Sequence, residues 1–329
     1  MYNQFFGLQK NPFNLTPDPE FLFLTQQHRE ALAGLTYAII GRKGFLVLTG
    51  DAGTGKTTLT TRVLRQLPES RVRASVVFNP ILTPSEFMEM MLHDFGIIDV
   101  PVSKAQRLMK LGQLLVEGDR ENKISVLIVD EAHRLHPDVL EELRLLGNFE
   151  RSDRKLLQIL FLGQPELGDT LNRSDLSQLK QRVAARFKIS ALAPAEIENY
   201  IQHRWIKAGG CRPTPFTAGS IDHITCYSRG IPRIINAICD NALIQAIGEG
   251  VRVVQPGHVL EACSDLDLDP TVAPKAIPMI RNGNSQSTLL SEPARPASPS
   301  SGLLFERNQE ASRNRFFLTR LVGKSRITN

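Results

Sequence analysis

The chain has 329 residues, a formal net charge of +5 and 42% apolar residues. A length above that of one ordinary core predicts at least two domains, and the composition is that of a soluble globular protein rather than a collagen-like or disulfide-dense one. No apolar run reaches the roughly 18 to 20 residues that cross a bilayer, and the first residues lack the charged and apolar regions of a signal peptide, so we expect neither feature.

The charge is unevenly distributed along the chain. Residues 267–329 hold 9 Lys and Arg against 5 Asp and Glu, which leaves 30 against 29 for the remainder. A folded body this close to neutral gives little support for nucleic-acid binding. The cysteines, Cys211, Cys226, Cys239 and Cys263, lack C-x-x-C spacing, so we expect buried, reduced thiols in a cytoplasmic protein that either is free or is held at the periphery of the inner membrane.

The first 25 residues are rich in phenylalanine and proline, which predicts an extended, packed arm rather than a helix. Two interpretations of the arm stay open. It is either a strap over the core or, near Pro12-Phe13-Asn14, an apolar wall for a nucleotide base. Apolar residues at helical spacing then predict a helix from His28 to Ile40.

A glycine-rich loop follows the first predicted strand, residues 44–49. The loop and its continuation read Gly50, Asp51, Ala52, Gly53, Thr54, Gly55, Lys56, Thr57 and Thr58. This is G-x-x-x-x-G-K-T between a strand and a helix, the setting of a phosphate site. Backbone N–H groups and the helix N-terminus favour an anion there. We therefore predict an ATP site in which Lys56 contacts the β- and γ-phosphates and the Thr57 hydroxyl binds Mg²⁺.

Residues 72–78 read as a second buried strand. Thr83 to Glu86 form a capping box that opens a helix ending near Phe95, and a further helix is predicted over 104–118 after a Ser103 cap.

Two adjacent carboxylates end a third strand, residues 124–129. An apolar run that stops at an acidic pair is typical of a core parallel strand whose end reaches the active site. We predict that Asp130 holds Mg²⁺ and that Glu131 acts as the general base on the attacking water. The alternative is that the pair only caps the following helix, which begins at Pro137.

Polar residues after the next strand extend the predicted site. The strand, residues 156–162, is followed by Gln164, which we interpret as a sensor of the γ-phosphate; the alternative is a simple turn before Pro165. Arg182 and Arg186 are assigned to one helical face ahead of a last strand over 187–192. They are either solvated or, in a ring, arginine fingers that face the neighbour's γ-phosphate.

From residue 194 the pattern predicts helices only, at about 195–208, 217–228, 231–247 and 256–265. We expect three parts: an ATPase domain with its N-terminal arm over 1–193, a small helical lid over 194–266, and a disordered tail over 267–329, where proline and serine are dense. The end of the tail interleaves five basic residues with apolar ones, namely Arg313, Arg315, Arg320, Lys324 and Arg326. This segment either contacts an anionic membrane surface, docks on a partner or only aids solubility.

Several segments carry a family resemblance. They are Phe5-Phe6-Gly7-Leu8, Pro12-Phe13, Pro17-Asp18-Pro19, His28-Arg29-Glu30-Ala31-Leu32, Glu141 to Glu150, Gly163-Gln164-Pro165-Glu166-Leu167 and Gly230-Ile231-Pro232-Arg233. Over roughly residues 1–265 the chain resembles AAA+ ATPases and, more narrowly, the ExeA/GspA-type ATPases associated with type II secretion and related envelope systems.

The resemblance implies an α/β P-loop NTPase fold, with a mainly parallel five-stranded sheet flanked by helices and a small all-helical lid. It also implies a sensor arginine at Arg233, in a segment that resembles the lid of branch-migration motors. Members of the secretion branch carry a membrane span and a peptidoglycan-binding domain, neither of which we expect in this sequence.

Two functions follow from the resemblance. The first is an ATPase that oligomerises on ATP binding and drives the assembly or remodelling of a secretion, envelope or polysaccharide-export complex. The second is a DNA-associated AAA+ regulator of the transposition-ATPase type. The near-neutral body favours the first, and a non-catalytic, ATP-gated scaffold is a third hypothesis.

Overall fold

Five parallel strands form the centre of the fold, in a computed structural model that describes residues 2–78 and 80–270. The strands are β1 Phe45–Thr49, β2 Val72–Val77, β3 Ile124–Val129, β4 Leu157–Gly163 and β5 Val183–Lys188. Their order across the sheet is β2-β3-β4-β1-β5, and each neighbouring pair is parallel. The carboxyl ends of the strands therefore meet at one edge of the sheet and the amino ends at the other.

The α-helices of the described residues cover the sheet and then form a separate bundle. They are α1 Tyr2–Phe6, α2 Gln26–Ile40, α3 Lys56–Gln66, α4 Pro84–Asp94, α5 Lys104–Arg120, α6 Pro137–Leu146, α7 Glu166–Leu171, α8 Ser177–Arg182, α9 Pro194–Lys207, α10 Ala218–Ser228, α11 Pro232–Gly248 and α12 Pro256–Asp265. The expected α/β P-loop fold with a five-stranded sheet and a helical lid is confirmed.

Alternating side chains of the central strands fill two cores. In β1, Phe45 and Val47 face a core built with α4 to α8, whereas Leu46 and Leu48 face a second core built with α2 and α3. Strands β3 and β4 are buried along their whole length. This two-sided burial explains why they read as continuous apolar runs in the sequence.

The last strand was predicted wrongly. It runs from Val183 to Lys188 rather than over 187–192, and its residues alternate between half-buried and exposed. Because β5 is an edge strand, only one of its faces packs against the core, and the exposed positions carry Ala184, Arg186 and Lys188. The exposed basic residues made this segment read as the end of a helix.

The N-terminal arm packs into the helical lid. Tyr2, Phe13 and Phe21 share a buried cluster with residues of α9, α10, α11 and α12. The guanidinium of Arg204 in α9 donates to the carbonyl of Pro12 at 2.5 Å and lies 5.1 Å from the Phe21 ring centre. The ring of Phe13 packs edge-on against Phe216, which supports the strap and not the base-wall interpretation.

The arm also departs from the prediction of an extended segment, because residues 2–6 form α1. A five-residue helix is too short to be stable alone. Contacts with the lid stabilise it: the Tyr2 hydroxyl donates to Asp240 of α11. The same hydroxyl also lies close to the side-chain oxygen of Asn11 in the arm.

Smaller expectations had mixed outcomes. The capping box at Thr83 and Glu86 is present, whereas Ser103 precedes α5 without a side-chain capping bond. Cys239 and Cys263 are buried, Cys226 is half-buried and Cys211 is exposed. Within the described part of the chain, no helix is long and apolar enough to cross a bilayer. The tail predicted over 267–329 lies outside the described residues from 271 onward.

Candidate nucleotide-binding site

The glycine-rich loop connects β1 to α3 at the carboxyl edge of the sheet. Gly53 and Gly55 have φ of 80° and 99°, a region that L side chains rarely adopt. A Cβ on Gly50 would lie 2.4 Å from the Ile189 carbonyl oxygen, so glycine is also required there for packing. The loop thus combines the backbone freedom and the close approach that a phosphate cradle needs.

Lys56, the first residue of α3, is buried at the base of this loop. Its Nζ donates to the carbonyl oxygens of Gly50 at 2.7 Å and Asp51 at 3.0 Å. Burial lowers the pKa of Lys56, and the charges of Glu131 and Asp130 oppose that shift. A cation held in this way attracts an anion more strongly than one in water, because the surrounding dielectric is low.

Thr57 and Asp130 lie together although they are 73 residues apart in sequence. The Thr57 hydroxyl donates to Asp130 Oδ2 at 2.8 Å. Burial raises the pKa of Asp130, while the hydrogen bonds from Thr57 and from the Glu131 N–H lower it. A hydroxyl and a carboxylate at this distance are the oxygen ligands that Mg²⁺ prefers beside phosphates, so the donor set fits the ion.

Glu131 follows Asp130 at the end of β3, with φ of 52°. Its side chain is 43% exposed, and Oε2 lies 3.4 Å from Nδ1 of His133. His133 Nε2 in turn lies 3.4 Å from the side-chain nitrogen of Gln164 at the end of β4. The structure thus brings together Glu131 and Gln164, both predicted as site residues, through a histidine that sequence reasoning did not single out.

Arg233 meets the glycine-rich loop from the lid. Its N–H donates to the Gly53 carbonyl at 3.3 Å, and a Cβ on Gly53 would lie 2.7 Å from Arg233 Cβ. The lid and the loop are therefore in direct contact at the residue for which the resemblance implies a sensor role.

His28 of α2 is a second residue whose place in the site the sequence did not reveal. Its Nε2 lies 3.3 Å from the Thr54 carbonyl, and its Nδ1 lies 2.7 Å from the Thr25 hydroxyl. Burial lowers the His28 pKa, which favours the neutral ring. The only sequence signal for it was its place in a family-like segment.

The two candidate finger arginines do not share a helical face. Arg182 ends α8, whereas Arg186 lies inside β5, since the strand starts at Val183. The Arg182 guanidinium donates to the Arg144 carbonyl at 3.0 Å and to Asn148 Oδ1 at 2.7 Å within the same chain. Arg186 is exposed. Neither arginine is bonded to the glycine-rich loop in this structure of one chain.

Comparisons with known proteins agree on the family. The AAA domain family matches residues 39–171. General secretion pathway protein A of Aeromonas hydrophila is 39% identical over 263 residues, which cover 79% of this chain and 47% of that protein. This chain therefore spans about half the length of that relative. The ATP-dependent target DNA activator B of Escherichia phage Mu is 26% identical over 266 residues, which cover 78% of this chain and 77% of the activator.

Solved structures agree on the fold. The Aeropyrum pernix ORC2 protein aligns with a TM-score of 0.62 at 18% identity, over 78% of this chain and 72% of its own. The Thermotoga maritima RuvB branch migration motor aligns with a TM-score of 0.51 at 19% identity, over 79% and 74%. Identities this low support the fold alone. The match to the AAA domain family and the 39% identity to General secretion pathway protein A show that the chain belongs to the AAA+ P-loop proteins, in the branch of the ExeA/GspA-type ATPases.

Proposed function

We propose that this protein binds ATP with Mg²⁺ and hydrolyses it to ADP and phosphate. The observation that carries the proposal is the 2.8 Å hydrogen bond between Thr57 and Asp130 beside the buried Lys56. In this proposal the loop N–H groups and Lys56 bind the phosphates, and Thr57 and Asp130 hold the metal ion. The ion would neutralise phosphate charge in the transition state.

Glu131 is the proposed general base. Its exposed carboxylate can reach a water, and general bases of this kind contribute about 10² to 10⁴ in rate. Gln164 is the proposed sensor of the γ-phosphate, because it lies at the carboxyl end of the strand next to β1. Arg233 is the proposed lid sensor, and its contact with Gly53 supports that role.

We further propose that ATP binding drives formation of a homo-oligomer that assembles or remodels a secretion, envelope or polysaccharide-export complex. Support comes from the 39% identity to General secretion pathway protein A. In this proposal the protein is cytoplasmic and works at the inner membrane.

A second candidate function is that of a DNA-associated regulator. The similarity to the ATP-dependent target DNA activator B supports it, since the match extends over 77% of that protein. The two candidates share the ATP site and differ in the partner. The variant Glu131→Gln, which should keep ATP bound, separates the two candidates. Co-purification of an envelope or secretion protein supports the first, and co-purification of DNA supports the second.

The ATPase proposal is tested with Lys56→Ala and Glu131→Gln. We expect Lys56→Ala to weaken ATP binding about 100-fold or more, because a charged hydrogen-bond donor to the phosphates is lost. Glu131→Gln should retain ATP and release phosphate about 10² to 10⁴ times more slowly. Lys188→Ala, an exposed lysine at the same sheet edge, is the matched control.

Binding is measured with a fluorescent ATP analogue and turnover by phosphate release. Equal affinity of the wild type and Lys56→Ala overturns the nucleotide site. Normal turnover by Glu131→Gln removes only the general-base assignment.

A further inference from the structure

The amino edge of the sheet, opposite the glycine-rich loop, carries a dense group of basic residues. We name as the amino-edge cluster the segments 42–43, 71–73, 119–123 and 150–155, which precede or open β1, β2, β3 and β4. Val72 pairs with Ile124, Ser125 with Leu157, and Phe45 with Ile159, so each of these four strands starts within two residues of its neighbour in register. The four segments therefore lie side by side in the order of the strands.

The cluster is strongly positive. Its basic residues are Arg42, Lys43, Arg71, Arg73, Arg120, Lys123, Arg151, Arg154 and Lys155, and its acidic residues are Asp119, Glu121, Glu150 and Asp153. Nine against four gives +5, although residues 1–266 as a whole hold 30 basic against 29 acidic residues. The neutral total thus conceals a separation of charge that only the fold reveals.

One buried carboxylate holds three of the arginines. Asp119, whose side chain is 5% exposed, accepts from Arg42 at 2.9 Å and Arg151 at 2.5 Å, and lies 3.6 Å from Arg154. Arg42 is itself buried, whereas Arg151 and Arg154 are each 41% exposed. Arg154 also lies 3.4 Å from the exposed Asp153, so three arginines face two carboxylates. One positive charge remains in excess, and the two exposed guanidinium groups present it to solvent.

The turn that carries the exposed arginines is well ordered by its own bonds. The Arg151 N–H donates to the Arg154 carbonyl at 2.9 Å, and Lys155 pairs with Glu150 on the adjoining residues. Burial lowers the Arg42 pKa and the nearby charges of Arg154 and Arg71 lower it further, while Asp119 and Asp153 oppose them. The mutual repulsion of these arginines would be relieved by a bound anion.

We propose that the amino-edge cluster binds the phosphate backbone of a nucleic acid. Strands lie about 4.8 Å apart, so the row from β2 to β1 is about 14 Å long, and arginine forks match phosphate oxygens in geometry. The row suits a linear polyanion. A lipid surface fits less well, because the exposed large apolar residues of the described chain lie outside these four segments.

This site is separate from the ATP site. The glycine-rich loop, Asp130 and Gln164 follow the carboxyl ends of their strands, whereas the cluster precedes the amino ends of the same strands. The proposal therefore holds whether or not the protein hydrolyses ATP. If both hold, a nucleic acid and a nucleotide bind the two opposite edges of one sheet.

The test is fluorescence anisotropy of a labelled DNA duplex of about 30 base pairs with the full chain, over about 50 to 200 mM salt. The double variant Arg151→Gln/Arg154→Gln should weaken binding about tenfold at the low-salt end and reduce the slope of log affinity against log salt by about 2. Lys207→Gln/Arg212→Gln removes the same charge from exposed positions of the lid and should change neither.

Because Arg151 and Arg154 contact Asp119, a second double variant, Lys43→Gln/Arg71→Gln, leaves that carboxylate and its partners intact. It should weaken DNA binding to a similar degree. If the first variant folds poorly, the second variant alone tests whether the amino-edge cluster binds DNA. Failure of the wild type to bind duplex, equal weakening in the lid control, or variant-sensitive binding to phosphatidylserine vesicles without DNA binding each overturns the proposal. ATP affinity in the same samples reports separately on the proposed ATPase.

Discussion

The two edges of the central sheet are both rich in charge, and they differ in how the sequence encodes them. At the carboxyl edge most of the site comes from two short runs, residues 50–58 and 130–131. At the amino edge the basic residues come from four segments spread between residues 42 and 155. A contiguous motif can be recognised in a sequence, whereas a surface assembled by strand order cannot.

The edges also treat buried charge differently. At the carboxyl edge, burial lowers the pKa of Lys56 and raises that of Asp130. Burial therefore disfavours the charged form of both groups, and without a ligand these charges lower the stability of the fold. At the amino edge, the buried Asp119 is surrounded by arginines. The first arrangement suits binding of a charged ligand with a metal ion. The second ties β1, β3 and β4 together and presents the surplus charge outward.

The largest expected effect tests whether the carboxyl edge is complete within one chain. We expect Arg186→Ala to lower turnover by about 10³, because arginine fingers have effects of that size or larger. In mixtures, Arg186→Ala subunits combined with Glu131→Gln subunits should recover activity, since each supplies what the other lacks. The measurement is phosphate release over a range of mixing ratios.

Arg182→Ala is the control for this experiment, because the Arg182 guanidinium is bonded to Arg144 and Asn148 in its own chain. We expect it to lower thermal stability and to show no recovery on mixing. Absence of recovery for Arg186→Ala at every ratio would mean that hydrolysis is completed within one subunit.

The next prediction separates the two edges by stability. Asp119→Asn leaves Arg42 buried without its carboxylate, and breaking a buried pair in this way lowers the free energy of unfolding by about 3 kcal/mol. ATP affinity should be unchanged, and duplex affinity should rise because a negative charge has been removed. Urea unfolding and anisotropy provide both measurements.

Asp175→Asn is the matched control, since Asp175 forms an exposed pair with Arg173 and such pairs contribute about 0 to 1 kcal/mol. If the two variants lose the same stability, Asp119 is not the buried anchor of the amino edge.

Much of the fold was predictable because burial leaves a pattern in sequence. Strands β3 and β4 read as apolar runs, and the helices of the lid, α9 to α12, fall within about two residues of their predicted bounds. Strand β5 was predicted four residues too late in the sequence, because its exposed face carries Arg186 and Lys188. Helix α1 was missed because its five residues carry little helical signal of their own. Its stability comes from packing on the lid.

The site was predictable to the same extent and for a related reason. The glycine-rich loop and the pair Asp130 and Glu131 are each contiguous in sequence, so each could be recognised as a motif at the end of a strand. His133 and His28 were not singled out, because their roles depend on contacts with Gln164 and Thr54, which the fold brings near. Total charge likewise carries no information on position, so the amino-edge cluster could not be predicted.

A smaller effect is expected at the link between Glu131 and Gln164. We expect His133→Ala to reduce kcat about tenfold with little change in KM for ATP, because His133 acts as a positioning residue and does not bind nucleotide. His133→Asn keeps a donor near Nδ1 and should retain more activity. Steady-state phosphate release measures both constants.

Two comparisons check that this link is specific. His136→Ala changes an exposed histidine three residues later, just before α6, and should leave kcat unaltered. In a double-mutant cycle, His133→Ala and Gln164→Ala should be non-additive, since both remove the same contact. Additive losses, or a rise in KM alone, would contradict the positioning role.

The smallest expected effect concerns the burial of Asp130. Its raised pKa means that the native state binds this proton more tightly than the unfolded state, so the contribution of Asp130 to stability decreases as pH rises through the native pKa. At neutral pH the buried charge therefore destabilises the protein without a metal ion. Asp130→Asn removes that charge, and Glu131 still provides a nearby negative charge for Lys56. The substitution should therefore raise the free energy of unfolding by about 1 kcal/mol.

The gain should be present at pH 7 and shrink toward about pH 4, near the ordinary pKa of an aspartic acid, because the wild-type carboxyl is then protonated as well. Thermal unfolding in chelator at both pH values measures it, with the exposed Asp138→Asn as control. Addition of Mg²⁺ and ATP should stabilise the wild type and not Asp130→Asn, reversing their order at neutral pH. A variant that is less stable than the wild type at pH 7, or a gain that grows in acid, would show that the carboxyl edge holds its charge without strain. The two edges would then differ only in how the sequence encodes them, as contiguous motifs at the carboxyl edge and as dispersed segments at the amino edge.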